Sequence, residues 1–371
     1  MFLLLKKKLS SFDWVLFVLI FLLLSIGLTV QYSLAHSLEP ELFTVFRRQV
    51  IFVFFGLFVF FVTSFLDFRI FKSLTSGLYF FAVTSLALLF VFSPILEGVR
   101  RWYVFGFFYF QPIELAKIIL VIVFAKIWGE RVKEVSEIKR LIWTIFLLVP
   151  PVFLTLLQPD LGGALVFIPV WFFLTAINIR RWKHFFLIIL FFIIAAVIFW
   201  SFGLRDYQRS RIVEFISPGA DPLGRGYQIT QSKIAIGAGR FWGRGIGQGS
   251  QGQMRFLPAS RNDFVFAVLS EELGFVGSGF IIVLFALIFW RMVKISKKIY
   301  DYFGFFLVLG VAFNFFIQVI INIGMNLGLL PIVGISLPLI SYGGSAMVAT
   351  LFSLGLVQSV IIHQRSMLSV A

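Results

Sequence analysis

The sequence predicts an all-α integral membrane protein with about ten transmembrane helices and one large extracytoplasmic loop between spans seven and eight. Hydrophobic residues make up 60% of the chain and charged residues only 13%, whereas soluble domains average about 45–50% and about 25%. Apolar segments long enough to cross a bilayer recur along the chain. In lipid each of them must be a helix, because its backbone groups have to pair internally.

The spans begin with an apolar run that follows Lys6, Lys7 and Lys8. A span needs about 20 apolar residues, whereas the apolar region of a signal peptide has about 7–15, so we interpret this run as a retained first span. The 51 Phe residues are interpreted as lipid-facing bulk and helix packing. The ten predicted spans are 14–34, 47–65, 73–93, 112–128, 141–157, 161–178, 184–203, 264–290, 303–325 and 340–362.

Basic residues predict the orientation. The net charge of +15 would suggest nucleic-acid binding in a soluble protein, but here Lys and Arg cluster beside the spans, as the positive-inside rule expects. The short loops on the other side carry only Arg47, Arg48, Arg100 and Arg101, so we expect both termini in the cytoplasm. We treat residues 1–371 as a single membrane domain that contains the polar external loop 204–262.

Some classes of chemistry are excluded by residues that the chain lacks. It has no Cys, which rules out disulfides and thiolate metal sites. Its three His residues are far apart in the sequence and fit no metal-ligand spacing. No G-x-x-x-x-G-K-[ST] phosphate loop is present, so we do not expect ATP hydrolysis.

Several polar residues are unexpected in or beside the spans, where charges are costly and usually functional. Glu114 and Lys117 share a helix face and can pair, either to shape an external cavity or only to fix helix packing. Asp160 lies in a tight turn and can cap the following helix or serve a site. Gly343 and Gly344 permit close backbone approach or tight packing between helices.

Span nine carries a polar residue at every fourth position. The four residues are Asn314, Gln318, Asn322 and Asn326. We favour hydrogen bonding between helices over a substrate path for this stripe, except for Asn322 and Asn326 near the outer end.

Asp263 lies at the outer mouth of span eight, where Ser260, Asn262 or Asp263 itself can cap the helix. Glu271 and Glu272 follow two turns deeper and are also unexpected. These polar features, apart from part of span nine, map to the outer half of the spans. The sequence therefore predicts chemistry or binding at that face rather than conduction across the membrane.

These stretches together resemble the SEDS family, the membrane peptidoglycan polymerases of shape, elongation, division and sporulation, over essentially the whole chain. Within the family, Gly249-Ser250-Gln251, Asn322-Ile323-Gly324-Met325 and Pro331-Ile332-Val333-Gly334 resemble the elongation member RodA more than the division member FtsW. The strongest matches are Gln111-Pro112-x-Glu114-x-Ala116-Lys117, Gln158-Pro159-Asp160-Leu161-Gly162, Phe256-Leu257-Pro258 leading to Asp263-Phe264, Glu271-Glu272-Leu273-Gly274, and Pro338-Leu339-Ile340-Ser341-Tyr342-Gly343-Gly344-Ser345.

The chain departs from the family pattern just before span eight. The family commonly has Glu, His and Thr where this chain has Ala259, Arg261 and Asn262, and Ala346 replaces a usual second Ser after the paired glycines. The chain keeps the Asp of the family pattern as Asp263. The residue that the resemblance implies as the base is therefore present, although the residues around it differ.

The resemblance implies an inverting peptidoglycan glycosyltransferase. A sugar hydroxyl of one lipid II, a polyprenyl-diphosphate-linked disaccharide, attacks the anomeric carbon of another, and Asp263 is the expected catalytic base. The external Arg and Lys side chains are the candidates that stabilise the diphosphate, and a divalent cation is a further candidate that would share this task. The expected substrate-binding residues are Arg100, Arg101, Trp102, Lys117, Arg211, Lys233 and Ser341, and the expected cavity-shaping residues are Glu114, Asp160, Asn322, Gly343 and Gly344.

The resemblance also implies a bacterial inner-membrane location with the active site on the outer face, and a class B penicillin-binding protein transpeptidase as partner. Two other functions stay open at this point. A flippase for lipid-linked oligosaccharides would need a continuous polar path through the bilayer, for which the span-nine stripe is the only hint. A non-catalytic scaffold of the synthase complex would keep its function after replacement of Asp263.

Overall fold

The structure, a computed structural model, is a bundle of helices with one small β-hairpin. It describes residues 9–35, 40–96, 99–106, 108–130, 136–179, 181–198, 225–254 and 256–368. The helices are α1 (Trp14–Ala35), α2 (Pro40–Phe65), α3 (Arg69–Ser73), α4 (Thr75–Phe92), α5 (Pro112–Gly129), α6 (Glu137–Leu157), α7 (Leu161–Ala176), α8 (Trp182–Ile198), α9 (Arg225–Ala238), α10 (Ser250–Gln253), α11 (Val265–Ser296), α12 (Tyr302–Asn326) and α13 (Gly344–Leu368), and the strands are β1 (Tyr103–Phe105) and β2 (Phe108–Phe110).

Each predicted span coincides with a helix, which confirms the predicted fold class. Seven helices in the described part of the chain are long and apolar enough to cross a membrane, and α7 and the Trp182–Ile193 part of α8 are shorter apolar helices. The remaining span, α5, is apolar apart from Glu114, Lys117 and Lys126.

Several helix ends differ from the predicted spans, and two of them change the place of residues used in the sequence analysis. Helix α2 begins at Pro40, so Arg47 and Arg48 lie in a helix and not in a loop. Helix α13 begins at Gly344, so Ser341 precedes it. Helix α2 is longer because an apolar run marks only the part of a helix that lies in hydrocarbon, whereas backbone hydrogen bonding continues into polar sequence. Helix α13 starts later because Ser341 and Tyr342 bond instead to Asn262 O and Arg261 O.

The interior of the bundle is formed by α5, α12 and α13. Helix α13 packs along α2, and α12 packs along both α5 and α11. The outer helices expose large apolar side chains such as those of Phe54, Phe58 and Phe80. Their exposure agrees with the interpretation of Phe as lipid-facing bulk, since a helix in a membrane needs no polar outer face.

A β-hairpin between α4 and α5 was not predicted. Its strands are antiparallel, with Tyr103 opposite Phe110. The Ser345 hydroxyl ties the hairpin to the start of α13, because it donates to Tyr109 O (2.7 Å) and accepts from Gln111 N (2.9 Å). The hairpin thus becomes a wall of the bundle at one end, which we call the Asp263 end.

Helix α11 is interrupted at Gly274, whose φ is 67°. The segment that follows α9 bonds to the backbone groups around the break: Phe275 N donates to Arg240 O (2.9 Å) and Arg244 N donates to Glu271 O (3.0 Å). Backbone groups within a bundle need such partners. The interruption therefore anchors this segment to α11.

Within the described residues, the predicted loop 204–262 contains α9 and α10 and is held by the two adjacent glutamates of α11. Glu271 accepts from Gln251 N (3.1 Å) and Glu272 from Gly247 N (3.2 Å). Both glutamates are buried. This anchoring explains why two glutamates lie within a span. The organisation of residues 1–371 as a single domain stays a prediction.

Candidate active site

A cavity of about 550 Å³ opens at the Asp263 end of the bundle. The first turns of α5, α7 and α13 and the residues just before α11 meet around it. Each helix start carries a partial positive charge and unpaired N–H groups, so the cavity is suited to an anionic ligand. Its lining residues are Phe52, Leu96, Arg101, Trp102, Tyr109, Gln111, Ile113, Glu114, Lys117, Asp160, Gly163, Ala259, Asn262, Asp263, Gly334, Ile335, Ser336, Tyr342, Gly343, Gly344, Ser345 and Ala346.

Asp263 lines this cavity on a turn that has no regular secondary structure. Ala259 adopts a left-handed conformation (φ 52°), and its carbonyl accepts the N–H groups of Asn262 (3.1 Å) and Asp263 (3.2 Å). The N-cap residue of α11 is Phe264, with no side-chain cap. The expectation that Ser260, Asn262 or Asp263 caps this helix is therefore wrong, because the turn directs these side chains elsewhere.

Glu114 and Lys117 form the predicted pair at the start of α5. Lys117 Nζ lies 2.8 Å from Glu114 Oε1 and 3.0 Å from Gln318 Oε1 on α12. Lys117 is 5% exposed, so its charge needs these partners. Both members of the pair line the cavity, and the contact to Gln318 also joins two helices.

Asp160 caps α7, as predicted: its Oδ1 accepts the N–H of Gly163 at 3.1 Å. It also lines the cavity and lies 3.8 Å from Arg101 Nη1. Arg101 donates a second contact to the carbonyl of Pro159. The guanidinium therefore lies in the cavity wall, and its Nε is buried without a hydrogen-bond partner.

The other expected substrate-binding residues differ in their position. Trp102 lines the cavity, but Arg100 is exposed and donates to the carbonyl of Phe90. Lys233 is exposed on α9, beside Gly328 and outside the cavity lining. Arg211 lies outside the described residues.

Ser341 and Asn322 support the cavity wall from behind. Ser341 Oγ donates to Asn262 O (2.5 Å) and accepts from Leu337 N (2.8 Å). Asn322 Nδ2 donates to Asp263 O (2.9 Å) and Ile335 O (2.7 Å). Neither residue is part of the cavity lining, so their place is structural.

Gly343 and Gly344 line the cavity, as the sequence led us to expect. A Cβ at Gly344 would lie 2.8 Å from the ring of Phe52, so this position is closely packed. Gln49 of α2 donates to Ser341 O (3.2 Å) and accepts from Gly343 N (3.3 Å). The sequence analysis did not name Gln49, although a polar residue at the start of an apolar segment could have indicated it.

Tyr342 belongs to a motif quoted in the sequence analysis, but no role was predicted for it. Its N–H donates to Arg261 O (2.9 Å), and it lines a second cavity of about 340 Å³ together with Ala259 and Asn262. These three residues therefore form a wall shared by the two cavities. Burial raises the pKa of the Tyr342 phenol above its usual value, so it stays protonated at neutral pH.

The described residues contain no group of three or more His, Asp or Glu side chains placed to hold a metal ion. Two of the three carboxylates in the cavity lining, those of Glu114 and Asp160, are instead engaged with Lys117, Arg101 and a helix N–H group. This donor set does not fit a divalent cation, which prefers several oxygen ligands together.

The span-nine stripe is used in contacts between helices. Asn326 Nδ2 donates to Asp263 O (2.9 Å), and Gln318 accepts from Lys117. These contacts agree with the predicted hydrogen bonding between helices. Asn322 and Asn326, for which the sequence analysis made an exception, take part in such contacts as well. The stripe therefore no longer favours a substrate path.

Comparison with known proteins decides the family. The model of the FtsW/RodA/SpoVE family, described as a cell cycle protein, matches residues 13–366. The chain belongs to this family. It is 36% identical over 301 residues to peptidoglycan glycosyltransferase MrdB of Escherichia coli (strain K12), which covers 81% of each chain.

Similar solved structures agree with the fold. One, from a study of the structural coordination of polymerization and crosslinking by a peptidoglycan synthase complex, has a TM-score of 0.78 at 34% identity and covers 95% of this chain and 98% of that one. Another, the rod shape determining protein RodA of Thermus thermophilus, has a TM-score of 0.71 at 29% identity and covers 95% of this chain and 97% of that one.

Proposed function

We propose that this protein is a peptidoglycan glycosyltransferase that polymerises lipid II into glycan strands at the outer face of the bacterial cytoplasmic membrane. The observation that carries the proposal is one cavity that is lined by both a carboxylate, Asp263, and a guanidinium, Arg101. Sugar transfer from a diphosphate needs these two groups together: a base for the attacking hydroxyl and a cation for the leaving group. Family membership and the similarity to MrdB support it.

In the proposed reaction a sugar hydroxyl of one lipid II attacks the anomeric carbon of another. The hydroxyl proton passes to the Asp263 carboxylate while a new carbon–oxygen bond forms. The bond from the anomeric carbon to the diphosphate oxygen breaks, and polyprenyl diphosphate leaves with the electron pair, so the anomeric centre inverts. Positioned proton transfer contributes about 10²–10⁴-fold to such a rate.

Arg101 is the proposed ligand of the diphosphate. Its guanidinium offers planar, forked donors that match phosphate oxygens, and it lines the cavity beside Asp160. Lys117 adds positive charge to the same cavity, although its ammonium is already engaged by Glu114 and Gln318. We therefore assign Lys117 mainly to shaping the cavity.

The cavity size limits what enters it. At about 550 Å³ it matches one drug-sized ligand, so only the reacting sugars and the diphosphate are proposed to lie inside. The polyprenyl chains then lie along the apolar outside of the bundle, where exposed Phe side chains such as Phe54 and Phe58 offer contact.

We infer a role in cell elongation and shape, because MrdB and RodA are among the similar proteins. A class B penicillin-binding protein transpeptidase is the proposed partner, which the similarity to a chain of a peptidoglycan synthase complex supports. Both termini are proposed to be cytoplasmic, from the distribution of Lys and Arg.

The test is polymerisation of purified lipid II by the detergent-solubilised protein with its partner. Wild type is compared with Asp263→Asn and with Asp301→Asn. Asp301 caps α12 through Gly304 N at 2.9 Å, and Asn caps equally well, so this control loses the same charge away from the cavity. We expect glycan strands from wild type and Asp301→Asn and none from Asp263→Asn.

Each other outcome points elsewhere. Equal activity of Asp263→Asn and wild type would refute the assignment of Asp263 as the catalytic base. If Asp263→Asn made no glycan and still supported growth, a scaffold would be favoured. No glycan from wild type, together with movement of lipid II across vesicles, would replace the polymerase by a flippase.

A further inference from the structure

Two Asn side chains of α12 hold the backbone carbonyl of Asp263. Asn322 Nδ2 and Asn326 Nδ2 each lie 2.9 Å from Asp263 O. Both side chains are completely buried. A carbonyl oxygen has two lone pairs, so the two amides together satisfy it from one side.

Asn326 also bonds to the start of α11. Its Oδ1 accepts the N–H of Ala267 at 3.1 Å, and this N–H is shared with Phe264 O, also at 3.1 Å. First-turn N–H groups of a helix have no regular intrahelical partner. Asn326 therefore supplies from another helix the cap that Phe264 cannot provide.

The two contacts of Asn322 and Asn326 with Asp263 O, which we call the clamp, are important because Asp263 lies on an irregular turn. Its N–H bonds to the carbonyl of Ala259, a residue in a left-handed conformation. The turn has no strand or helix of its own to set the direction of the carboxylate. A catalytic group has to be held within about 0.5 Å of its productive position.

We propose that Asn326, together with Asn322, is a positioning residue that fixes the backbone of Asp263 so that its carboxylate faces the cavity. The inference rests on the proposed function, in which Asp263 is the base. Asn326 is not part of the cavity lining, so it acts through Asp263 and not on the substrate.

The experiment compares Asn326→Leu with Asn314→Leu in the full-length protein with its partner. Leu has nearly the shape of Asn but no polar atoms. Asn314 is buried on the same helix and its Oδ1 has no hydrogen-bond partner, so its replacement is the matched control. We expect kcat to fall about 10²-fold in Asn326→Leu, the usual cost of a displacement of about 1 Å, with KM unchanged, and no change in Asn314→Leu.

A third variant separates the two contacts. Asn322→Leu removes one amide donor to Asp263 O and leaves the contact of Asn326 Oδ1 with Ala267 N, so its kcat should lie between those of wild type and Asn326→Leu. Hydrogen exchange of residues 259–268 gives a readout that is independent of activity. It should become faster in Asn326→Leu and stay unchanged in Asn314→Leu.

The possible outcomes distinguish this inference from the proposed function. An active wild type with an equally active Asn326→Leu overturns the clamp and leaves the polymerase standing. A loss of activity that follows only the loss of folded protein, with kcat per folded molecule kept, also overturns it. If wild type makes no glycan the proposed function fails, and unchanged exchange at 259–268 then overturns the clamp as well.

Discussion

Arg100 and Arg101 are neighbours in the chain and have different surroundings. Arg101 lies in the cavity wall beside Asp160, whereas Arg100 is exposed and bonds to the carbonyl of Phe90. The Arg101 side chain instead donates to the carbonyl of Pro159, just before α7, and this contact holds it at the cavity. The sequence offered both as substrate ligands, and only the geometry separates them.

This difference predicts unequal effects of one substitution. Arg101→Lys removes the forked donor set and should lower kcat/KM for lipid II about 10–100-fold, since hydrogen bonds to charged groups contribute about 1.5–3 kcal/mol. Arg100→Lys is the matched control and should leave kcat/KM unchanged. Initial rates of glycan formation check this, and equal losses in both variants would contradict the assignment of Arg101.

Residue-scale prediction from the sequence succeeded where the partners are close in the chain. The Glu114–Lys117 pair and the Asp160 cap each join residues three positions apart. The contact from Asn326 to Ala267 spans 59 positions and that from Gln49 to Gly343 spans 294. Such contacts depend on how helices pack, which neither propensity nor spacing encodes.

At the scale of elements, the break in α11 is the main departure from the predicted spans. The sequence reading took 264–290 as one continuous helix, because its hydropathy is uniform and Gly is common in membrane helices. The break is stable because the segment after α9 bonds to Glu271 O and Phe275 N. The hairpin between α4 and α5 escaped prediction for a related reason, since its short strands are held by a contact to α13.

Two glycines of the same helix should respond differently to Ala. Gly274 has φ 67°, and a Cβ there would lie 2.2 Å from Gly243 N, whereas a Cβ at Gly279 meets no atom within 4 Å. Gly274→Ala should therefore lower the free energy of unfolding by more than about 1 kcal/mol, and Gly279→Ala should raise it by up to about 1 kcal/mol.

Thermal unfolding of the two purified variants in detergent measures this difference. A Gly274→Ala protein that is as stable as Gly279→Ala would show that the segment after α9 is not docked at the break. The hydrogen bonds of Arg240 and Arg244 to α11 would then have no energetic role.

At the scale of the whole molecule, the two ends of the bundle differ in their chemistry. The Asp263 end contains the cavity and the helix starts around it. The opposite end holds polar contacts, such as the ion pair of Arg291 with Asp13 (2.8 Å) and the contact of His184 Nδ1 with Glu137 Oε1 (2.8 Å). The number of spans and the fold class were predictable because hydropathy records the contact with lipid, whereas the cavity depends on which helix ends meet.

The proposed orientation predicts which end is reachable from outside the cell. The chain has no Cys, so one introduced Cys is a unique label site. Phe105→Cys at the hairpin (63% exposed) should react with a membrane-impermeant maleimide on intact spheroplasts, and Tyr300→Cys (76% exposed) only after permeabilisation. The reverse pattern would invert the topology, because both residues are open to solvent in the folded chain.

The small volume of the cavity has a consequence for the length of the product. A space that matches one drug-sized ligand is outgrown after the first additions, so the enzyme has no internal ruler that measures a strand. Strand length is then a kinetic ratio. It is set by the rate of the next transfer against the rate at which the strand's polyprenyl anchor diffuses away in the plane of the bilayer.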